Sequence, residues 1–313
     1  MSKHATTSAT LLIGLIASSL STSTFAREIE ADFYGELNLS YDFNDPAQDD
    51  WTSYVSRLGL KGKYELSESL AIVYQVEQEV DVAHGGTERD SLLSTRNSFV
   101  GISTQVGKFI FGAYDTPFKK AQGKVDLFND QAGDIKALFA GEVRAKDSWA
   151  FHSKEFDGWA VQAMFVPGDN DFGSSKSLAV TYSNGDLNLG FAIDADMRKN
   201  DRAVARTSVY DSYRGDVQYK IGNWNLGLLL QSSKLMGAAD SESGYVASVS
   251  YKMGDITAMA QHGNSDIVGA DVTSTNLGVH YNFDKKSKVY LYYWDYDRGG
   301  NSDVLSLGVE VKF

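Results

Sequence analysis

The chain has 313 residues, with 41 Asp and Glu against 29 Lys and Arg, and a formal charge of −12. That acidic balance speaks against a nucleic-acid partner. The absence of cysteine removes a disulfide-stapled secreted domain and a thiolate metal site. The first element is a leader. Lys3 and His4 open it, an apolar run of about ten residues lies over 11–20, and Thr24-Phe25-Ala26 offers a small-x-small cleavage site. The pattern predicts a signal peptide over 1–26 and a mature chain over 27–313, which is 287 residues (313 − 26) with a charge of −13. No later apolar run is long enough for a membrane helix. The exported chain is therefore soluble or a β-barrel, since only helices and closed barrels satisfy every backbone polar group in lipid.

From Ala31 onwards the hydrophobic period is two. Phe33, Gly35, Leu37, Leu39 and Tyr41 alternate with Tyr34, Glu36, Asn38 and Ser40, and Leu58, Leu60, Gly62 and Tyr64 alternate with Arg57, Gly59, Lys61 and Lys63. The same alternation returns around Val217, Val279 and Val309. Each run places apolar residues on one face and polar or very small ones on the other. Strand-like runs fall near 31–42, 51–66, 69–80, 93–103, 106–114, 141–154, 157–167, 175–184, 186–197, 207–221, 222–233, 243–253, 254–263, 271–283, 285–297 and 302–313. Tight turns alternate with longer polar breaks between them. Pro46, Pro117 and Pro167 all fall in loop-like contexts, and Tyr-rich aromatics at 12% suit interfacial girdles. The expectation is an all-β, transmembrane antiparallel barrel of about 16 strands. A soluble sandwich would not need so many strands in one meander, nor so polar a second face.

The stretch 115–144 is too long for a turn, and loops of that length in a compact fold are functional or disordered. Val125, Phe128, Ala132, Ile135 and Phe139 recur at roughly helical spacing, so one face can lie on a wall. Asp126, Asp130 and Asp134 recur four apart, which puts three carboxylates on another face. Two readings fit: a loop folded into a barrel with its carboxylates in the bore, or a surface helix with a solvated acidic side.

Several signals carry little. His84, His152, His262 and His280 are scattered, with no pair at helical metal spacing. His152 and His280 are expected to face the lumen. The segment Asp169-Asn170-Asp171-Phe172-Gly173 lacks the acidic twelfth position of a calcium loop, which is Val180. No metal or cofactor is expected. Tyr290, Tyr292, Trp294 and Tyr296 are expected to form an aromatic rim rather than a sugar-stacking platform.

The motif Ser56-Arg57-Leu58-Gly59-Leu60-Lys61-Gly62, followed by Tyr74-Gln75-Val76-Glu77, resembles the second and third strands of the trimeric general diffusion porins of Gram-negative bacteria. Arg96-Asn97-Ser98-Phe99-Val100-Gly101 and Gly112-Ala113-Tyr114-Asp115-Thr116-Pro117-Phe118 resemble the family's run into its constriction loop. Val309-Glu310-Val311-Lys312-Phe313 is similar to its final strand, where the terminal aromatic, here Phe313, is an assembly signal. Lys154 stands where many members carry proline, and the Pro-Glu-Phe-Gly-Gly core of the enterobacterial branch is absent.

The resemblance implies an inward-folded third loop over about 115–141, a homotrimer, and a loop near 81–92 reaching over a neighbouring subunit. It also implies a basic wall, matched here by Arg57, Arg96 and Arg144 with Lys61 on the same strand face as Arg57, opposing acidic Asp126, Asp130 and Asp134. Carboxylates facing guanidinium groups across a narrow water column create a transverse field. The expected function is passive outer-membrane diffusion of small hydrophilic solutes, with a mild cation preference and no enzyme activity. The expected partners are lipid, lipopolysaccharide, the assembly machinery and copies of the chain itself. A substrate-specific channel for sugars, phosphate or aromatic acids is the main rival, kept open by Lys119, Lys120 and Lys124. A barrel-based hydrolase is the second, and no persuasive Ser, His and carboxylate set supports it.

Overall fold

The computed structural model describes residues 29–85, 93–169, 173–199 and 208–313. The expected leader lies outside them. So do most of the loop near 81–92 and the centre of the 169–173 segment.

Alternating sequence produces an alternating wall. The strands are β1 (Ile29–Asp45), β2 (Asp50–Ser53, resuming as Arg57–Ser67), β3 (Leu70–Val80), β4 (Leu93–Thr95, resuming as Ser98–Ser103), β5 (Gly107–Asp115) and β6 (Arg144–Ser153). They continue as β7 (Trp159–Val166), β8 (Ser175–Ser183), β9 (Leu187–Lys199), β10 (Ser208–Ile221) and β11 (Trp224–Leu235). The last five are β12 (Glu242–Met253), β13 (Ile256–Ser265), β14 (Val272–Asn282), β15 (Ser287–Asp297) and β16 (Asn301–Lys312). Each pairs antiparallel with its neighbour, and β1 closes on β16, with Glu36 opposite Lys312 and Tyr41 opposite Leu307. Gly35 and Phe313 exchange backbone hydrogen bonds of 3.2 and 3.1 Å at that seam. The result is a closed 16-strand barrel. Every strand begins and ends within about three residues of the run read from the alternation. The interruptions inside β2 and β4 had no signal in the pattern.

The outer face is a lipid-facing belt. Leu37, Leu226, Leu228, Leu230, Leu305 and Leu307 are exposed, while the residues between them, such as Asn38, Gln231 and Ser306, are buried inside. Aromatic pairs such as Trp224 with Tyr251 and Trp159 with Tyr182 lie beside the tight turns on this surface, as a membrane-interface girdle requires.

Candidate functional site

Six neighbouring strands carry opposite charges at one level of the bore. Glu36 on β1 is the cross-strand partner of Arg57 on β2, and Arg57 is the partner of Glu79 on β3. The Arg57 guanidinium lies 2.5 Å from Glu36. Arg96, in the break of β4, donates to Glu77 at 2.9 Å and to Glu79 at 3.2 Å. Asp115 at the end of β5 is in register with Arg144 on β6, 3.1 Å away. Asn97 ties that pair together, accepting from Arg144 Nε at 2.9 Å and donating to Asp115 at 3.0 Å. Acid and base therefore alternate around the wall, and cross-strand pairs of opposite charge are mutually favourable. The interruptions of β2 and β4 fall beside Arg57 and at Arg96. Val55, with φ of 51°, bends β2 there.

The segment 116–143 lies against the opposite wall, on the inner faces of β8 to β15. It begins as a short helix, α1 (Pro117–Ala121), because Thr116 caps it by accepting from Lys119 N–H and proline occupies its first turn. The surface-helix reading of this stretch does not hold, since no long helix is formed. After α1 the chain runs in turns, and only Ile135–Ala137 winds again, as a single 3₁₀ turn capped by Asp134. Ala132 is exposed, whereas Val125, Ile135, Leu138 and Phe139 are buried against Leu229, Val246 and Val272. Phe128 is buried among Tyr290, Tyr292 and Trp294. Those three rings therefore face the bore and carry the loop rather than forming a rim. Phe128 is edge-on to Tyr292 at 5.3 Å.

Side-chain amides on the wall bond the loop's backbone. Gln218 accepts from Lys124 N–H at 2.9 Å, and Gln261 accepts from Leu127 N–H at 2.8 Å. Gln231 donates to the Ala140 carbonyl at 2.8 Å and Asn276 to that of Gly133 at 3.0 Å. The wall is also kept bare where the loop comes closest. A Cβ at Gly190 would meet the Ala121 carbonyl at 2.6 Å, and one at Gly263 would meet Leu138 at 2.5 Å. One charged anchor joins the amides. The fully buried Arg214 donates to Glu142 at 3.0 Å, to Gln122 at 2.7 Å and twice to Gln231, with Phe118 stacked on its guanidinium.

The three loop carboxylates have different fates. Asp130 alone reaches across, to 3.1 Å from Arg57 and 3.7 Å from Arg96. Its φ of 63° is a left-handed conformation that Asp tolerates. Burial pushes its carboxyl up, but Arg96 and Arg57 outweigh that and hold it below the usual range. Asp126 is turned inward, accepting from Phe128 N–H, Ile135 N–H and Gln261. Burial, reinforced by Asp134, pushes its carboxyl well above the usual range. Asp134 accepts from Asp130 N–H and Lys136 N–H. Asp126 and Asp134 are thus the loop's internal framework and share no face with Asp130. Glu142 is also pushed up, because burial exceeds the opposing pull of Arg214.

The basic wall is likewise not basic, since each arginine is already matched by carboxylates. Lys61 lies lower on β2, its ammonium 5.1 Å from the Tyr34 ring centroid, and Lys63 pairs with Glu30 and Glu65. His152 and His280 are half-buried on the bore-facing side of their strands. Glu36, Glu77, Glu79 and Asp115 were not among the expected site residues. Their register opposite the arginines is the signal that would have found them. Arg214 and Glu142 gave none, since they meet only through the loop.

The profile of the Gram-negative porin family matches residues 7–301. This chain belongs to that family. It is an outer-membrane porin. The porin is 32% identical over 121 residues to the major outer membrane protein P.IB of Neisseria sicca, covering 37% of this chain and 33% of that protein. It is 31% identical over 176 residues to the major outer membrane protein P.IA of Neisseria meningitidis serogroup C, covering 55% of this chain and 41% of the relative. The matched stretches thus span less than half of these relatives. Among solved structures, OmpF of Salmonella typhi superimposes with a TM-score of 0.75 at 15% identity, covering 93% of this chain and 99% of that one. The anion-selective porin of Comamonas acidovorans gives 0.72 at 16% identity, covering 91% and 100%. At these identities the superpositions speak for the fold.

Proposed function

We propose that this porin is a passive channel for small hydrophilic solutes and ions, doing no chemistry, and that the loop and the charged belt form its constriction. The observation that carries this is the contact of Asp130 with Arg57 and Arg96. It brings a loop fixed on one wall to the opposite wall, so solutes pass beside the tip. A space of about 180 Å³ beside it is lined by Glu36, Arg57, Asn129, Asp130, Lys288 and Glu310, groups that favour water. At this level Glu36, Glu77, Glu79, Asp115, Asp130 and Glu310 are matched by Arg57, Arg96, Arg144, Lys119, Lys288 and Lys312, so the mild cation preference of this reading rests on the acidic balance of the whole chain, −12.

The same reading includes removal of residues 1–26 on export and an assembly signal at Phe313. It also includes a homotrimer in contact with lipid and lipopolysaccharide. The in-vitro folded OmpT of Vibrio cholerae is described as a trimer form and superimposes with a TM-score of 0.66.

Single-channel recording of the purified protein under a salt gradient tests the reading. Stepwise conductance with closures in three levels and a cation-directed reversal potential is expected. No conductance from folded protein would sink it.

A further inference from the structure

Beside the belt, on the wall the loop leaves free, three rings stand in a row. Phe99 meets Tyr114 at 5.2 Å and 82°, and Tyr114 meets the His152 ring at 5.1 Å and 55°. They cover an apolar floor of Ile110, Ala150 and Met164. Tyr114 continues the bore-facing alternation of Ile110 and Gly112, and the extra residue of the nearby register shift lies on β6, between Ala145 and Ser148. Gly112 has φ of 136°, and a Cβ there would strike the Ser98 carbonyl.

Two lysines flank the row. Lys120 Nζ lies 5.2 Å from the Tyr114 ring centroid, and Lys108 is the cross-strand partner of His152. Among the described residues, no carboxylate lies within salt-bridge distance of either ammonium, in contrast to the matched arginines of the belt. His152 Nε2 and Gln162 Oε1, on adjacent strands, are buried without a hydrogen-bond partner.

We propose that this ledge is a binding subsite for a monocyclic aromatic carboxylate in transit. The proposal rests on the channel reading above. The unmatched ammonium groups supply the attraction for an anion, and the rings supply edge and face contacts that a saturated or inorganic anion cannot use. The large tilts between successive rings leave no flat surface wide enough for a fused ring system. Paired carboxylate acceptors, which a sugar track would need beside its rings, are absent from the ledge among the described residues.

The test is single-channel recording in potassium chloride, then with benzoate added, with cyclohexanecarboxylate and phosphate as comparison anions. Conductance in chloride alone tests the channel reading, and its absence removes that reading and the ledge together. Given conductance, benzoate is expected to interrupt the current at lower concentration than either comparison anion. Tyr114→Leu is expected to weaken the block about five-fold, and Lys120→Gln to weaken it as well. Lys120→Gln changes only an exposed ammonium, so it decides the matter if Tyr114→Leu does not assemble. Equal block by cyclohexanecarboxylate, equal block by phosphate, or block unchanged in Lys120→Gln would each overturn the proposal.

Discussion

The two halves of the inner wall hold the same loop by opposite means. On β8 to β15 the wall offers glycines, aliphatic side chains and neutral amides, and the loop is laid on it with its backbone bonded and its apolar residues buried. On β1 to β6 the wall offers ion pairs that satisfy one another, and the loop meets it through charged side chains, with Asp130 on Arg57 and Arg96, Lys119 on Asp115 and Lys120 beside Tyr114. A buried surface fixes a loop because each lost contact leaves a cavity or an orphaned polar group, and the Arg214–Glu142 pair on this wall is held to the same rule. The charged belt holds little more than the tip, because its ion pairs satisfy one another whether or not Asp130 is docked.

That contrast can be broken most severely at Arg214. Arg214→Leu leaves Glu142 buried without its partner, a loss of about 3–5 kcal/mol for a buried pair. A lowered thermal transition and protease cleavage within 116–143 are expected. Phe128→Ala empties the site among Tyr290, Tyr292 and Trp294 and is expected to cost about 3 kcal/mol. Noisier single-channel current is its expected sign.

Asp130→Asn is expected to leave the thermal transition nearly unchanged and to move the reversal potential towards anions, whereas Asp126→Asn should not move it. Equal shifts in the two variants would show that the buried carboxylate also faces the water path. The two loop acids also differ in sign with pH. The depressed Asp130 stabilises the docked tip above the ordinary Asp value of about 3.9. That contribution is lost as pH falls through its lower folded value. Asp126, pushed up by burial, costs stability as pH rises from the ordinary range towards its folded value. Acid should therefore release the tip in the wild type and not in Asp130→Asn, as read by conductance across a pH series. The smallest effect is expected for Lys61→Gln, which lies below the belt and should change ion selectivity little, as a reversal potential would show.

The barrel was legible because its rule is local. Alternation at Leu37 or Leu305 is visible within five residues, and turns divide one run from the next. The loop was half legible. The burial of Val125, Phe128, Ile135 and Phe139 follows from their apolarity, but their spacing suggested a helix that Gly123 and Gly133 interrupt. Asp126, Asp130 and Asp134 look alike in sequence and differ only in what surrounds them. The aromatic series at Tyr290, Tyr292 and Trp294 was assigned to the wrong face because its alternate positions, Leu291 and Tyr293, are also apolar. A period of two then has no polar side to orient it.

The loop's anchors also impose an order of events. Leu127 is bonded by Gln261 and Gly133 by Asn276, partners separated by 134 and 143 residues. Most of the wall that holds the loop is therefore translated after it, and contacts so distant in sequence form late in folding. The loop must wait solvated while the sheet grows, and it reaches its bed only as the ring of strands shuts around it.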